Sequence, residues 1–356
     1  MKFFNNVNFD EWQEIVNKCE YSTFFHTPNW SKIFTETYPG MKIETKKFVL
    51  DDQTKVILPL ISAGSKIGLF GSYFSNIAGV YGGVISERKI TKKEISEIFT
   101  FLIGRNIARV LIVGNPFFDY ILPEQFRVKV DFTHILKLSE DKEKLWVNYS
   151  HGARQCINKA KKSGVVCRIA NNNTDEWKKY YSIYQKALKR WGDKATSHYP
   201  FSLFENMIKL RDPNIKLWLA IFDNKVVGGS LNFYHNGHCV VWHASFLSDY
   251  FKYGISNFLY HNIILDAKEK GYKYYDFNPS GGHEGTANFK EAFGSERLPV
   301  QRWEWENPFI RIITSAKRKI IGRAVSLSLS AKLMDKDKKK DLETTNNTLD
   351  PGSIQR

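Results

Sequence analysis

The stretch KLWLAIFDNKVVGGSLNFYHNGHCVVWHASF, Lys216 to Phe246, limits the fold more than any other part of the chain. Apolar residues alternate in three runs, separated by Asp223-Asn224 and by Asn236-Gly237. Asn-Gly between such runs is the strongest short hairpin signal, because both turn residues need a positive φ. The stretch predicts an antiparallel meander of three strands. A helix is predicted next, from about Ser256 to Lys270 and stopped by Gly271, and YKYYDFN then returns as a strand.

Elements of the same kinds come earlier in a similar order. DEWQEIVNKCE, Asp10 to Glu20, predicts a helix, and KIETKKFVLDD and KVILPLISAG predict paired strands. A stretch rich in Gly, Ser and aromatics follows, then a helix over 92–105 and the apolar strand RVLIVGN. The second half opens with HILKLS as a strand and continues into two basic helical turns ended at Gly164. After another strand comes a long helix beyond Asn173, whose Asp175 and Glu176 suit the positive end of its dipole. These patterns predict an α/β chain in two halves, 1–133 and 134–307. In the tail, Phe309, Ile313, Ala316, Ile320, Ala324 and Leu327 form an apolar helical stripe flanked by Arg311, Lys317, Arg318, Lys319 and Arg323. That predicts a basic amphipathic helix over 308–334, and the polar remainder, 335–356, reads as disordered.

The sequence of 356 residues is 42 % hydrophobic, enough for packed cores, and carries a net charge of +15. Such a charge attracts polyanions, whether nucleic acid, nucleotide-linked phosphate or anionic lipid, without choosing among them. Cys19, Cys156, Cys167 and Cys239 are scattered, so neither zinc-ligand spacing nor a disulfide framework is expected. With no signal-peptide pattern at MKFFNNVNFDEW and no long apolar span, a cytoplasmic protein is the expectation.

Chemistry is most concentrated in DFNPSGGHEGTANFKEAFG, Asp276 to Gly294. Asp276 ends a strand, where α/β folds usually carry functional groups. Pro279, Gly281, Gly282 and Gly285 make a loop whose amides could approach a ligand, and Asn288, Phe289 and Lys290 follow on a helical turn. A lysine there could hold a phosphate or stabilise an oxyanion; the plainer reading is a Gly-rich connector with a solvated lysine. Arg154, with Lys159, Lys161 and Lys162, could clamp phosphates or be a solvated basic face. His235, His238 and His243 lie around the hairpin with no second ligand cluster, so no metal site is expected. Phosphate-loop, dinucleotide and nucleophile-elbow patterns are missing, which argues against kinase, dehydrogenase and serine-hydrolase chemistry. The interleaved aromatics carry no RNA-binding signature.

Four stretches together resemble the FemAB-type acyltransferases, a branch of the GNAT (N-acetyltransferase) superfamily: SYFSNIAGVYGGVIS, ARQCINKAKKSGVVCRIA, VVGGSLNFYHNGHCVVWHASF, and YKYYDFNPSG followed by NFKEAFG. They span roughly residues 10 to 300. The resemblance implies two tandem GNAT-like domains, each a mixed sheet flanked by helices. It implies that Lys290 sits near the reacting carbonyl with Phe289 beside it and Asn288 next in line. It further implies that Arg154 and Lys159 face the acceptor's phosphates and that Asp276 orients the amine or its proton acceptor. The GNAT pyrophosphate loop would fall at FKYGIS, where Lys252, Gly254 and Ser256 are the candidates and Phe251 replaces the usual basic or amide residue. The function implied is N-acyl transfer to an amine of a nucleotide-sugar or lipid-linked glycan or peptide precursor of the cell envelope. Acyl-CoA is the favoured donor, without a permanent cofactor. The alternatives are aminoacyl-tRNA as donor in peptidoglycan bridge formation, and a non-enzymatic basic module for RNA or membrane. The tail stripe by itself leaves two readings open, a 308–334 helix lying on the inner membrane face or one packed on the second domain.

Overall fold

The computed structural model describes residues 1–63, 71–104, 107–119, 121–138, 141–171, 173–192, 195, 198–281 and 283–312. Met1–Trp305 forms one compact unit and Glu306–Arg356 a second. In the second unit a helical turn starts at Pro308, where the Asn307 side chain accepts from the amide of Phe309 at 3.0 Å. The rest of the expected tail helix and the expected disordered tail lie outside the described residues.

In the first half the elements are β1 (Lys2–Phe4), α1 (Phe9–Lys18), α2 (Pro28–Thr37), β2 (Lys42–Ile43), β3 (Lys46–Val49), β4 (Lys55–Leu58), β5 (Ile61–Ser62), β6 (Gly71–Phe74), β7 (Ile85–Ser86), α3 (Lys92–Ile103) and β8 (Ile107–Val113). Next come β9 (Arg127–Lys137), α4 (Lys142–Asn148), α5 (His151–Lys162), β10 (Val166–Ile169), α6 (Thr174–Trp191), α7 (Phe201–Leu210), β11 (Ile215–Phe222), β12 (Lys225–His235) and β13 (His238–Phe246). The series closes with α8 (Ile255–Glu269), β14 (Tyr274–Asp276), α9 (Glu284–Glu291) and β15 (Glu296–Glu306).

Local chemistry sets the ends of these elements. Thr91 and Glu94 form a reciprocal capping box on α3, and Asn173 caps α6 through its side chain. Both meander turns have the expected geometry: Asp223 and Asn224 at φ 48° and 59°, Asn236 and Gly237 at 41° and 77°. Positive φ at both central residues matches the right-handed twist of the flanking strands.

One mixed sheet runs through the unit in the order β10-β11-β12-β13-β14-β9-β15-β8-β6-β5-β2, beside a small sheet β1-β3-β4-β7. The 133/134 position taken as the boundary between halves falls inside β9. That strand pairs with β14 on one side and β15 on the other. The last strand, β15, thereby lies between β9 and β8 of the first half.

At the centre of the sheet, β13 and β14 run parallel for only three residue pairs, His238–Tyr274 to Val240–Asp276. On its other side β14 pairs with β9 at Ile135–Lys137. Beyond Asp276 the chain leaves the sheet after one further bond, Phe277 amide to His134 carbonyl at 2.9 Å. The rest of β13, to Phe246, and of β9, back to Arg127, therefore face each other across a missing strand, roughly 10 Å at ordinary strand spacing. A bulge at Trp242, between the Leu231–His243 and Asn232–Val241 pairs, bends β13 in the same stretch.

Helix α8 starts after a short 3₁₀ turn, Ser248–Tyr253, and packs on α5 with Gly254 as its N-cap. Gly254 has φ +71°, and a Cβ there would lie 2.2 Å from the Cys156 carbonyl oxygen of α5. Both the backbone angle and the helix contact exclude a side chain. Gly152, at the start of α5, has nothing within 4 Å of its would-be Cβ. Gly254→Ala is expected to cost roughly 2 kcal/mol or more of stability, whereas Gly152→Ala should be neutral or slightly stabilising; urea unfolding of both variants checks the contrast.

Candidate active site

The parting of the sheet puts Asp276 at its apex. Its side chain is fully buried, and Oδ1 accepts from the Thr133 hydroxyl and the Asn278 amide, each at 2.7 Å. The second bond is an Asx turn that holds Asn278 in the left-handed region at φ 61°. Asn278 thus points its carbonyl at Lys290 of α9, whose ammonium donates to it at 2.5 Å and to the Ser280 hydroxyl at 2.8 Å. Lys290 is only 5 % exposed.

Burial governs both ionisable groups. It raises the Asp276 pKa, opposed by the Thr133 and Asn278 donors, by the nearby Tyr81 phenol and by the Lys290 charge. It pushes the Lys290 ammonium down to about 8, while Asp276 and Asp131 hold its charge in place. An ammonium has three N–H donors, and Lys290 uses two of them among the described residues. The third is available to a carbonyl oxygen. Beside it, His134 is buried, meets Glu291 at 3.2 Å through Nε2, and is held below its usual pKa mainly by burial.

The other sequence-derived candidates are spread more widely. Phe289 packs edge-on against Tyr260 and Phe293, anchoring the turn that carries Lys290, and Asn288 is exposed beside it. Arg154 turns inward: its Nη1 donates to the carbonyls of Val147 and Tyr149 at 2.7 and 2.6 Å, closing the C-terminal end of α4. Lys159 is exposed on the last turn of α5. Gly282 lies outside the described residues.

Gly254 and Ser256 stand at the start of α8, which has no side-chain cap. The first intrahelical bond is Phe258 amide to Gly254 carbonyl, so the amides of residues 255–257 precede the helical ladder. This end of the helix suits an anion. Cations surround the turn before it: Lys252 lies over the Tyr253 ring, Lys225 over Tyr250 and Arg190 over Phe251. Phe251 is 47 % exposed.

Sequence reasoning missed Thr133, Asp131, Asn278 and Ser280. The last two stand in the quoted Asp276–Gly294 stretch. Thr133 precedes HILKLS on the enclosed face of β9, and only an alternation count extended backwards would have found it. Among the described residues no group of three His, Cys, Asp or Glu side chains could hold a metal ion. His235 and His238 are buried and His243 is half-buried, and desolvation pushes them to about 4, 4 and 3.

Residues 148–291 match the family model for the acetyltransferase (GNAT) domain. FemX, a FemAB-type protein, aligns over 88 % of this chain and 100 % of its own at 10 % identity, with a TM-score of 0.66. A conserved protein of unknown function from Bacteroides thetaiotaomicron aligns over 86 % of this chain and 100 % of its own (14 % identity, TM-score 0.56). The C-terminal domain of an Agrobacterium fabrum protein assigned as a lysylphosphatidylglycerol synthetase aligns over 88 % and 95 % (12 % identity, TM-score 0.53). No curated protein matches the sequence. The mixed α/β architecture expected from the sequence is present, and at these identities the structural likeness speaks for the fold alone. Residues 148–291 thus carry a match to a GNAT-type acetyltransferase domain, and the chain shares its fold with FemX.

Proposed function

We propose that the protein transfers an acyl group from acyl-CoA to a primary amine on a phosphate-bearing precursor of the cell envelope, a nucleotide-sugar or a lipid-linked glycan or peptide. The observation that carries this reading is the parting of β13 and β14 at Asp276, beside a buried lysine with one N–H unused among the described residues. The uncapped start of α8, with Lys252, Lys225 and Arg190 around it, suits the donor's pyrophosphate. The net charge of +15 suits a phosphorylated acceptor. Among the structural neighbours, one is assigned as a lysylphosphatidylglycerol synthetase, which is in keeping with a lipid-linked acceptor.

In this mechanism the amine lone pair attacks the thioester carbonyl carbon and a C–N bond forms. The developing oxyanion takes the third N–H of Lys290. The C–S bond then breaks, and the departing thiolate receives the proton that the amine loses. Lys290 supplies charge at a fixed position, and Asp276 acts from behind it, keeping the ammonium protonated. Arg154 serves the architecture of α4 in the free protein, which leaves Lys159 for the acceptor's phosphates and Lys252, with Lys225 and Arg190, for the donor's.

Calorimetric titration with CoA and acetyl-CoA tests the donor: micromolar binding supports it. No binding, with binding of a charged tRNA instead, would transfer the reading to an aminoacyl-tRNA donor, the alternative that the Phe251 replacement favours. The tail can also be tested. Phe309 and Ile312 are 65 % and 68 % exposed at the start of the basic stripe. If 308–334 lies on anionic membrane, removing 308–356 should abolish flotation with anionic liposomes.

Two further outcomes follow from Lys290. Its folded pKa of about 8, against an ordinary 10.5, means that the native state carries the charged form at a cost. That cost is about 3 kcal/mol at pH 7 and disappears as pH rises through 8 towards 10.5. Lys290→Met is therefore expected to raise the melting temperature at pH 7, less so at pH 10, while lowering turnover at least a hundredfold; equal turnover would remove Lys290 from the chemistry. Because Asp276 holds the Lys290 charge, Asp276→Asn should move the basic limb of the kcat/KM profile to lower pH.

A further inference from the structure

The Gly- and aromatic-rich stretch before β7 has no part in the mechanism above, yet its backbone is fixed in unusual detail. Asn76 accepts from Trp30 Nε1 at 2.6 Å and from the Ile77 amide at 2.9 Å. Its own amide group donates to the carbonyls of Phe25, at 2.9 Å, and of Tyr81. The loop then passes through positive φ at Ala78, Gly79 and Gly83. At Gly82 a Cβ would lie 2.4 Å from the Ser75 hydroxyl and 2.7 Å from the Ser75 carbonyl. The Gly82 amide donates to Val113 at 2.8 Å, and its carbonyl accepts from His26 Nε2 at 3.3 Å.

Every one of these contacts fixes the backbone on either side of Tyr81. The ring is fully buried against Val113 and Val300, and its hydroxyl is the electrostatic neighbour of Asp276. Both resolved donors to Asp276, Thr133 and the Asn278 amide, use Oδ1. Asp276 Oδ2 and the Tyr81 hydroxyl are both enclosed and, like Asn278 Oδ1 and His134 Nδ1, have no hydrogen-bond partner among the described residues. Buried polar atoms seldom stay unpaired, and with the Thr133 hydroxyl already on Oδ1 a phenol proton can turn onto Oδ2 by rotation of a single bond.

We propose that Tyr81 is a positioning residue of the acyl-transfer centre: its phenol serves Oδ2 of Asp276 and holds the carboxylate ionised behind Lys290. The inference rests on the reading of Lys290 and Asp276 given above. It adds that the first half of the chain contributes a working group to the site. The other groups facing Asp276 are Lys290 from α9, Thr133 from β9, Cys239 from β13 and its neighbour Tyr275. Asp131 on β9 faces Tyr81 and Lys290, and His134 with Arg297 of β15 faces Lys290 and Glu291. Comparing variants that differ only in the phenol oxygen cancels their titrations.

The test uses the full chain with Tyr81→Phe, Asp276→Asn and the double variant. Losing the phenol raises the folded pKa of Asp276 further above its unfolded value. The loss of stability should therefore be small near pH 4 and grow towards pH 8. In the Asp276→Asn background that pH dependence should vanish. Both are read from thermal unfolding, without any substrate, so they stand or fall independently of donor and acceptor. In the acyl-transfer assay Tyr81→Phe should lower kcat at pH 7 at least fivefold, with both KM values within twofold and the acid limb moved to higher pH. A stability loss equal at pH 4 and pH 8, or unchanged by Asp276→Asn, overturns the contact. A pH-dependent loss with wild-type kcat overturns the catalytic part. Should Tyr81→Phe not fold, 3-fluorotyrosine at position 81 keeps the hydroxyl. Its fluorine shift should follow the Asp276 titration in the otherwise wild-type chain and not in Asp276→Asn; a shift that ignores Asp276 also overturns the contact.

Discussion

Three residues, Tyr274–Asp276, join the two sides of the large sheet, and the rest of the site depends on how short that strand is. A longer β14 would have continued the ladder along β13 and β9 and closed the centre of the molecule. Because it stops at Asp276, the sheet keeps continuity at one end and parts at the other. The parting costs little, since a strand edge facing water or a ligand keeps its hydrogen bonds, whereas one closed against side chains would lose them. The bulge at Trp242 serves the same end by turning β13 within the open stretch.

Around that apex the protein encloses an acid and a base together. Either alone would become neutral on burial; together, each restores part of the other's charge. The pair does not rely on close approach of the two side chains. The Asp276 carboxylate turns the Asn278 backbone, and the Asn278 carbonyl holds the lysine. Backbone geometry so converts a buried anion into a fixed direction for a cation, the kind of preorganisation that stabilises a charge appearing on a substrate oxygen.

Much of this was legible in the sequence where signals are local. Asn-Gly and Asp-Asn mark the meander, Gly271 stops α8, and Asp276 at the end of an aromatic strand marks the apex. What stayed hidden depends on residues far apart in the chain. Thr133 meets Asp276 across 143 positions, and nothing near Thr133 announces it. Strand β15 was unreadable for another reason: in ERLPVQRWEWE charges alternate with aromatics and Pro299 interrupts the run, so its pattern resembles an edge or a loop. Arg154 illustrates the opposite error. Its basic neighbourhood suggested a phosphate, but carbonyls released by the end of α4, five to eight residues back, are its partners.

The placement of β15 between β9 and β8 also bears on synthesis. A ribosome will have released β8 and β9 long before Glu296–Glu306 emerges, and until then those two strands lack the neighbour that lies between them. Contacts spanning such sequence distances form late, because a long loop must close before they repay its entropy. The order of assembly is thus written into the topology. The meander and its helices can form from neighbours in sequence, while the first half is left with two exposed edges that the final strand must seal.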